Sequence, residues 1–341
     1  MSSAARYAEL SAAVRSLKAE LVQPSQMERF IEAGSLSETV TMLTAGRVTA
    51  VEPSNLIAAE SYLIQRVAEL AKRLVSYAPH GSRPLIKLFS TKYELSCVKE
   101  ILRSILDQED PEDAIARIVP AGKFTSERCK ELVETHNATR VIEVLEDGAL
   151  RQFIAPKLAR EESGIAVVSA IDQYYYWKLW SASKLRDQLD TQSARSLIGE
   201  LVDHLNILLA FRARLIGLDA RSTSELFIPI NYRLGHSLNE LAESTNIPNL
   251  IRTVEKTPYV RAFERQTGLE ANVTKVERAL DRSHALSCLN IFAGSPFKIG
   301  LALAFLFLKS YELHDLFTII NGKANNVASD RILGSLILHG I

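Results

Sequence analysis

The side chains able to do chemistry are plentiful in this 341-residue chain but do not converge. Seven histidines show no pair at the three- or four-residue spacing that puts two metal ligands on one helix face, and they read as surface groups or satisfied helix residues. Three cysteines at 97, 129 and 288 form no Cys-x-x-Cys pair. Gly-x-Ser-x-Gly, His-Glu-x-x-His and Gly-x-Gly-x-x-Gly are all absent. The nearest approach to a phosphate loop is Ala121-Gly122-Lys123-Phe124-Thr125. It lacks the first glycine, because Arg117 stands there, and its threonine is displaced by one position. Abundant Asp and Glu read as charged helix faces rather than acid–base pairs. The chain is therefore expected to be non-catalytic, with no cofactor and no metal.

What remains are residues suited to holding another protein. Tyr174, Tyr175, Tyr176, Trp177 and Trp180 place five aromatics within seven residues of a predicted helix, more than one face can bury. Core and inter-repeat packing should take most of them, with a partner site as the alternative. Arg212 and Arg214 lie beside the core helix of the middle of the chain, with Arg103 in an equivalent place earlier. Cations favour a helix C-terminus in any case, so docking of an acidic partner competes with a dipole role.

The elements that carry these residues follow a 3.6-residue apolar period, as in Leu63, Val67, Leu70, Leu74 and in Leu201, Leu205, Leu208, Phe211. Hairpin signals are nearly missing. Asp147-Gly148 follows a helical run and marks a helix end. The fold class is all-α. Lys plus Arg and Asp plus Glu both number 40, so the formal charge is zero, which argues against electrostatic binding of nucleic acid. An odd number of scattered cysteines indicates a reducing compartment. The N-terminus has no uninterrupted apolar stretch of signal-peptide type, and the run Ile299 to Leu308 is about half of the ~20 residues needed to span a bilayer. It should be a buried core helix.

The chain also repeats itself. At an offset of 109 residues, Glu131 to Glu146 falls on Glu240 to Glu255 with six identities in sixteen positions, and Ala170-Ile171-Asp172 falls on Ala279-Leu280-Asp281. KYELSCVKEILR, LVDHLNILLAFR and SYELHDLFTIIN, starting at 92, 201 and 310, align three ways. Glu94, Asp203 and Glu312 coincide, as do Cys97, Asn206 and Asp315. Cys97 thus reads as one variant of a structural slot. Asn137 and Asn246 are expected N-caps, and Ser35-Leu36-Ser37-Glu38 a capping box. The resulting division is 1–110, 111–219 and 220–341, three similar helical domains in a quasi-threefold arrangement.

With the repeats located, the chain resembles the C subunit of the A/V-type rotary ATPases, the counterpart of the eukaryotic d subunit. The resemblance rests on the N-terminal helix from Tyr7-Ala8 through Ala13 to Leu21, on SLSETVTML, KLFSTKYELSCVKEILRSI and VDHLNILLAFRARLIG, and on VERALDRSHA followed by PFKIGLALAFLFLKSYELHDLFTIINGK. The middle segment departs from the family pattern at Asn206-Ile207, where Asn-Leu often precedes the Arg pair, a conservative change. The resemblance implies a funnel of three domains that seats the D and F subunits of the central shaft above and rests on the membrane proteolipid (c/K) ring below. It implies a peripheral place on the cytoplasmic face of the membrane and offers no catalytic residue. A general α-helical adaptor for soluble partners is the alternative, although such repeats usually run to about 30–47 residues rather than 109.

Overall fold

A computed structural model describes residues 3–44, 52, 54–160, 162–263, 272–339 and 341. Among them the chain forms seventeen α-helices and no strand; Ala121 and Phe124 make one isolated bridge. In order these are α1 (Ser3–Lys18), α2 (Pro24–Glu32), α3 (Leu36–Thr44), α4 (Leu56–Tyr77), α5 (Arg83–Leu106), α6 (Pro111–Ile115), α7 (Ser126–Glu134), α8 (Ala138–Glu143), α9 (Gly148–Ala159), α10 (Gly164–Ala182), α11 (Gln188–Leu215), α12 (Ala220–Leu226), α13 (Ser237–Glu243), α14 (Ile247–Glu255), α15 (Val273–Ala293), α16 (Ile299–Ala324) and α17 (Ser329–Ser335). The all-α expectation holds.

The helices gather into two compact units. Unit 1 comprises Met1–Cys97, Glu112–Lys130 and Cys288–Ile341, and unit 2 comprises Val98–Pro111 and Glu131–Ser287. In unit 1, α16 is the central rod and packs on α1, α3, α4 and α17. Its first ten residues, Ile299 to Leu308, are all buried, as their apolar run demands. Each large apolar side chain so buried is worth about 1.5–3 kcal/mol. None of the helices is long and apolar enough to cross a membrane among the described residues. The α4 stripe Leu63, Val67, Leu70, Leu74 is buried as its period requires.

In unit 2, α11 is the rod, with α10, α12, α13 and α14 packed around it. The sequence period places Leu201 and Leu205 on its buried face. Both are only half-buried, while Val202, Asn206, Ile207, Ala210 and Phe211 are enclosed. A helix surrounded by four others has no single buried stripe, which is why a simple period misjudges it. The core of this unit joins Ile207, Leu208 and Phe211 to Leu234, Leu241, Leu250, Val254 and Leu280.

The two asparagine caps fall where the sequence puts them. Asn137 Oδ1 accepts the Arg140 N–H at 3.1 Å and Asn246 Oδ1 accepts the Asn249 N–H at 2.9 Å. Ser35 Oγ accepts the Glu38 N–H at 3.2 Å, but the Glu38 carboxylate takes the N–H of Gly34 at 2.7 Å instead of that of Ser35. Asp147-Gly148, read from the sequence as a helix end, is instead a helix start: α8 ends at Glu143, and Asp147 is the N-cap of α9, its carboxylate accepting the Leu150 N–H.

The 109-residue offset recurs in the geometry of helix ends. Gln108, Gly217 and Asn326 all have positive φ, at 54°, 76° and 53°. Each sits just past the end of a long helix, α5, α11 or α16. Around each, the same pair of bonds closes the helix: Glu109 N–H to Ser104 O at 2.9 Å, Leu218 N–H to Ala213 O at 3.0 Å, Val327 N–H to Gly322 O at 2.8 Å, with a second bond one residue inside. This is the Schellman closure, which requires a left-handed residue and favours glycine.

A second recurrence lies 22 residues beyond the slot shared by Cys97, Asn206 and Asp315. Cys97 Sγ donates to Val119 O at 3.2 Å. Asn206 accepts the Ile228 N–H at 2.9 Å and donates to Ile228 O and Ile230 O. Asp315 accepts the N–H groups of Ile337 and Leu338 at 2.6 and 2.8 Å. In each case one buried polar side chain clamps the returning backbone to the long helix.

The closures generate a prediction. Gln108→Gly relieves left-handed strain and should raise unfolding stability by about 0.5–1 kcal/mol, Asn326→Gly by less, and Gly217→Ala should cost about 1 kcal/mol. Urea titration of the three variants measures the order of these effects.

Candidate protein-interaction surface

The aromatic run lies on α10, opened by Ser163, whose hydroxyl accepts the Ala166 N–H. Tyr174, Tyr175 and Tyr176 are buried in unit 2 at 2, 5 and 7% exposure, whereas Trp177 is 44% exposed. Core packing therefore takes the three tyrosines and leaves the tryptophan to solvent. Trp177 is not alone. Phe153 on α9, 38% exposed, stands 6.1 Å from the Trp177 ring and 5.3 Å from the Tyr174 ring, so an aromatic face crosses α9 and α10. Phe153 escapes sequence inspection because it is a single aromatic in an otherwise ordinary helix, adjacent to the fully buried Ile154.

A polar lock supports this face. Tyr174 donates to Asp147 Oδ2 at 2.7 Å, and Lys178, one helical turn beyond, bonds both that carboxylate and the Tyr174 hydroxyl. Burial works to raise the Asp147 pKa, but the bonds from Lys178, Tyr174 and the Leu150 N–H outweigh it and hold it below the ordinary carboxylate range. The Tyr174 hydroxyl is pushed up by burial and by the Asp147 carboxylate. Two further pieces steady α10 within unit 2. Lys99 pairs with Asp172 at 2.8 Å, and Gln173 donates to the carbonyls of Glu225 and Phe227.

The three arginines are less free than their sequence suggests. Arg103 bonds Glu100 at 2.6 Å and lies 3.9 Å from Glu109. Arg212 is held by both oxygens of Glu277, at 3.0 and 2.9 Å. Arg214 is half-buried and its Nε has no hydrogen-bond partner. Exposed pairs of this kind contribute about 0–1 kcal/mol, so an acidic partner can exchange for the resident carboxylate at little cost. Just beyond Arg214, Leu215 and Ile216 are 61 and 57% exposed at the closing turn of α11. The aligned tips carry Leu106-Asp107 after α5 and Ala324-Asn325 after α16, so two consecutive large apolar residues stand only at the middle one.

No group of three or more His, Cys, Asp or Glu side chains able to hold a metal occurs among the described residues. The loop at Gly122-Lys123 has an acid where a phosphate would have to lie. A Cβ on Gly122 would come within 2.1 Å of Glu94 Oε1, and φ is +56°, so both space and conformation demand glycine.

The sequence reads the histidines as surface groups or satisfied helix residues. His204 is neither. It is 3% exposed, neither ring nitrogen has a hydrogen-bond partner of normal geometry, and its ring meets Tyr259 edge-on at 4.8 Å. His284 lies 6.3 Å away, with Nε2 2.9 Å from Leu197 O. Burial, and for His204 the neighbouring His284, pushes both below 6.5, His284 to about 4. Beside them Asp203 accepts the Tyr259 hydroxyl and the Tyr232 and Arg233 N–H groups, all within unit 2.

Residues 10–334 match the model of the ATP synthase (C/AC39) subunit family. The chain belongs to that family. The A-type ATP synthase C subunit of Methanocaldococcus jannaschii is 24% identical over 347 residues, covering 98% of this chain and 86% of that protein. Those of Pyrococcus horikoshii and Methanosarcina acetivorans are 22 and 24% identical, covering 97% of this chain in each case and 90 and 93% of the relatives. The aromatic face, the arginines and the apolar tip of α11 all lie inside the C/AC39 match.

The buried histidines set a pH dependence. A histidine held neutral in the folded state loses nothing above pH 6.5, and its site loses stability as the pH falls from 6.5 towards 4, because the unfolded chain takes up the proton first. With His284 at about 4, the loss at pH 5 is roughly 2 kcal/mol. Urea titrations at pH 7 and 5 should show the pH-linked loss shrinking by about that amount in His284→Asn, whatever the absolute stability of the variant.

Proposed function

We propose that this chain is the non-catalytic central-stalk component of an A/V-type ATP synthase or ATPase, a socket that joins the D/F shaft to the membrane proteolipid ring and transmits torque between them. The family match over nearly the whole chain, together with relatives of similar length named as the C subunit of an A-type ATP synthase, carries the reading. On this reading the chain is three helical copies bounded near 110 and 219, arranged as a funnel. The Schellman closures and clamps that recur at 109-residue steps support three copies of one motif. The protein sits peripherally on the cytoplasmic face of the membrane.

A coupling of this kind joins a slender coiled shaft to a wider ring and performs no chemistry. Stiffness is the physical requirement, and helices with close-packed interiors deform little. Trp177 and Phe153 are the aromatic anchors for a protein partner, in keeping with the enrichment of large aromatics at binding hot spots. Arg103, Arg212 and Arg214 supply guanidinium groups for acidic surfaces. Tyr174, Tyr175 and Tyr176 act by fixing α10 beneath the exposed tryptophan.

Mixing the purified chain with the D and F subunits, and separately with detergent-purified proteolipid ring, tests the proposal. Binding to both is expected, and failure to bind either contradicts it. The double variant Phe153→Ala, Trp177→Ala should weaken binding to one of the two partners at least tenfold with helical content unchanged, as read by titration calorimetry and circular dichroism.

A further inference from the structure

In unit 1, α3 and α4 both pack on α16, and a cavity of about 430 Å³ lies between them, lined also by the chain that joins α1 to α2. Its walls are largely apolar, with Phe30 from α2, Met42 and Leu43 from α3, and Leu63 and Val67 from α4. A space of this size and lining suits a small molecule when a few polar groups share it. Three do. Lys309 on α16, only 7% exposed, borders the cavity together with Tyr62 and Arg66 on α4.

All three are donors with capacity to spare. Lys309 bonds Glu312, and its other contact, with Glu20 O, is a weak one at 3.5 Å, so the ammonium keeps an N–H unused. The Arg66 guanidinium stands 3.9 Å from Glu20, beyond hydrogen-bonding distance, and the Tyr62 hydroxyl bonds no described residue. The buried acceptor, by contrast, is taken: Glu312 receives Lys309 with one oxygen and the Val22 N–H, at 2.7 Å, with the other. Among the charges gathered here, Arg66, Arg73 and Lys309 outnumber Glu20 and Glu312 by one. The repeat does not call for the lysine. Asp203, at the position aligned with Glu312, is satisfied by the Tyr259 hydroxyl and two backbone N–H groups, and the residues aligned with Lys309 are Thr91 and Glu200.

We propose that this cavity is a binding site for a monocarboxylate with an apolar tail, a compound of the medium-chain fatty-acid class. The carboxylate accepts from Lys309, Arg66 and Tyr62, and the tail lies against Phe30, Met42 and Leu43. A surplus of one positive charge suits a monoanion, whereas a dianionic phosphate head would face Glu20 and Glu312 with one of its charges unmatched. Hydrogen bonds from Lys and Arg to a carboxylate are the strong kind, and a site withdrawn from water strengthens them further. The head is then held from α16 and α4 while the tail touches α2 and α3, so the occupied site ties the first helices of unit 1 to its central rod.

The methionines of the chain are Met1, Met27 and Met42. Met42 lines the cavity, whereas Met27 is buried outside it. Full-length protein isotope-labelled at the methionine methyls is titrated with decanoate, well below its micelle concentration, and followed by two-dimensional NMR. The Met42 methyl should move along a saturating curve while that of Met27 stays in place. Decyltrimethylammonium, with the same tail and a cationic head, should bind at least about tenfold more weakly. Arg66→Gln, at a partly exposed position, should weaken decanoate binding about threefold. Lys309→Met combined with Glu312→Gln removes both buried charges and leaves an acceptor for Val22; it should weaken binding by about tenfold with helical content unchanged in circular dichroism. Arg66→Gln carries the decision if the double variant loses its fold. No saturable shift at Met42, equal shifts at Met27 and Met42 as from general detergent action, equal binding of the cationic amphiphile, or an affinity unchanged in Arg66→Gln would overturn the proposal.

Discussion

The structure depends on one constraint: a long buried helix must be stopped, and the chain leaving it must be led back along that helix with its backbone polar groups satisfied. An unpaired amide or carbonyl in such a place costs about 1–3 kcal/mol. Three times the chain meets this demand with the same two devices. A left-handed residue at 108, 217 or 326 closes the helix, and a buried side chain at 97, 206 or 315 receives or supplies bonds 22 residues further on. The side chains differ while the geometry recurs, as expected where backbone hydrogen bonding rather than residue identity is being preserved.

Much of this was legible in the sequence because it is local or periodic. Helical class, the apolar rod from Ile299, and the caps at Asn137 and Asn246 each follow from a few neighbouring residues. The equivalence of Cys97, Asn206 and Asp315 was legible from alignment alone, but the reason for it was not, since the bonded partner lies 22 residues away on a different element. Distance in sequence hid other features too. Arg212 is paired with Glu277, 65 residues on, and Asp147 with Tyr174 and Lys178. His204 looks ordinary in sequence because nothing local marks its burial; its environment is made by Tyr259 and His284, far along the chain.

The candidate surface shows the same division. Crowding of aromatics between 174 and 180 is legible as more rings than one helix face can bury, but which side chain faces solvent depends on α9 and on the Asp147 lock beneath. Roles thus separate within one run of residues: three tyrosines build the platform and Trp177, with Phe153, is presented on it. On the coupling role proposed above, which works through stiffness, such a platform is useful. A side chain held by packed neighbours loses less conformational entropy on binding than a free one.

Amide hydrogen exchange at the returning segments tests the shared clamp most directly. In the native chain the N–H groups of Ile228, Ile337 and Leu338, each bonded to a slot side chain, should exchange at least a hundredfold more slowly than an exposed amide. Asp315→Ala should release Ile337 and Leu338 while leaving Ile228 protected, and Asn206→Ala should do the converse. Fast exchange at these amides in the native protein, or unchanged protection after removal of the slot side chain, would contradict the account.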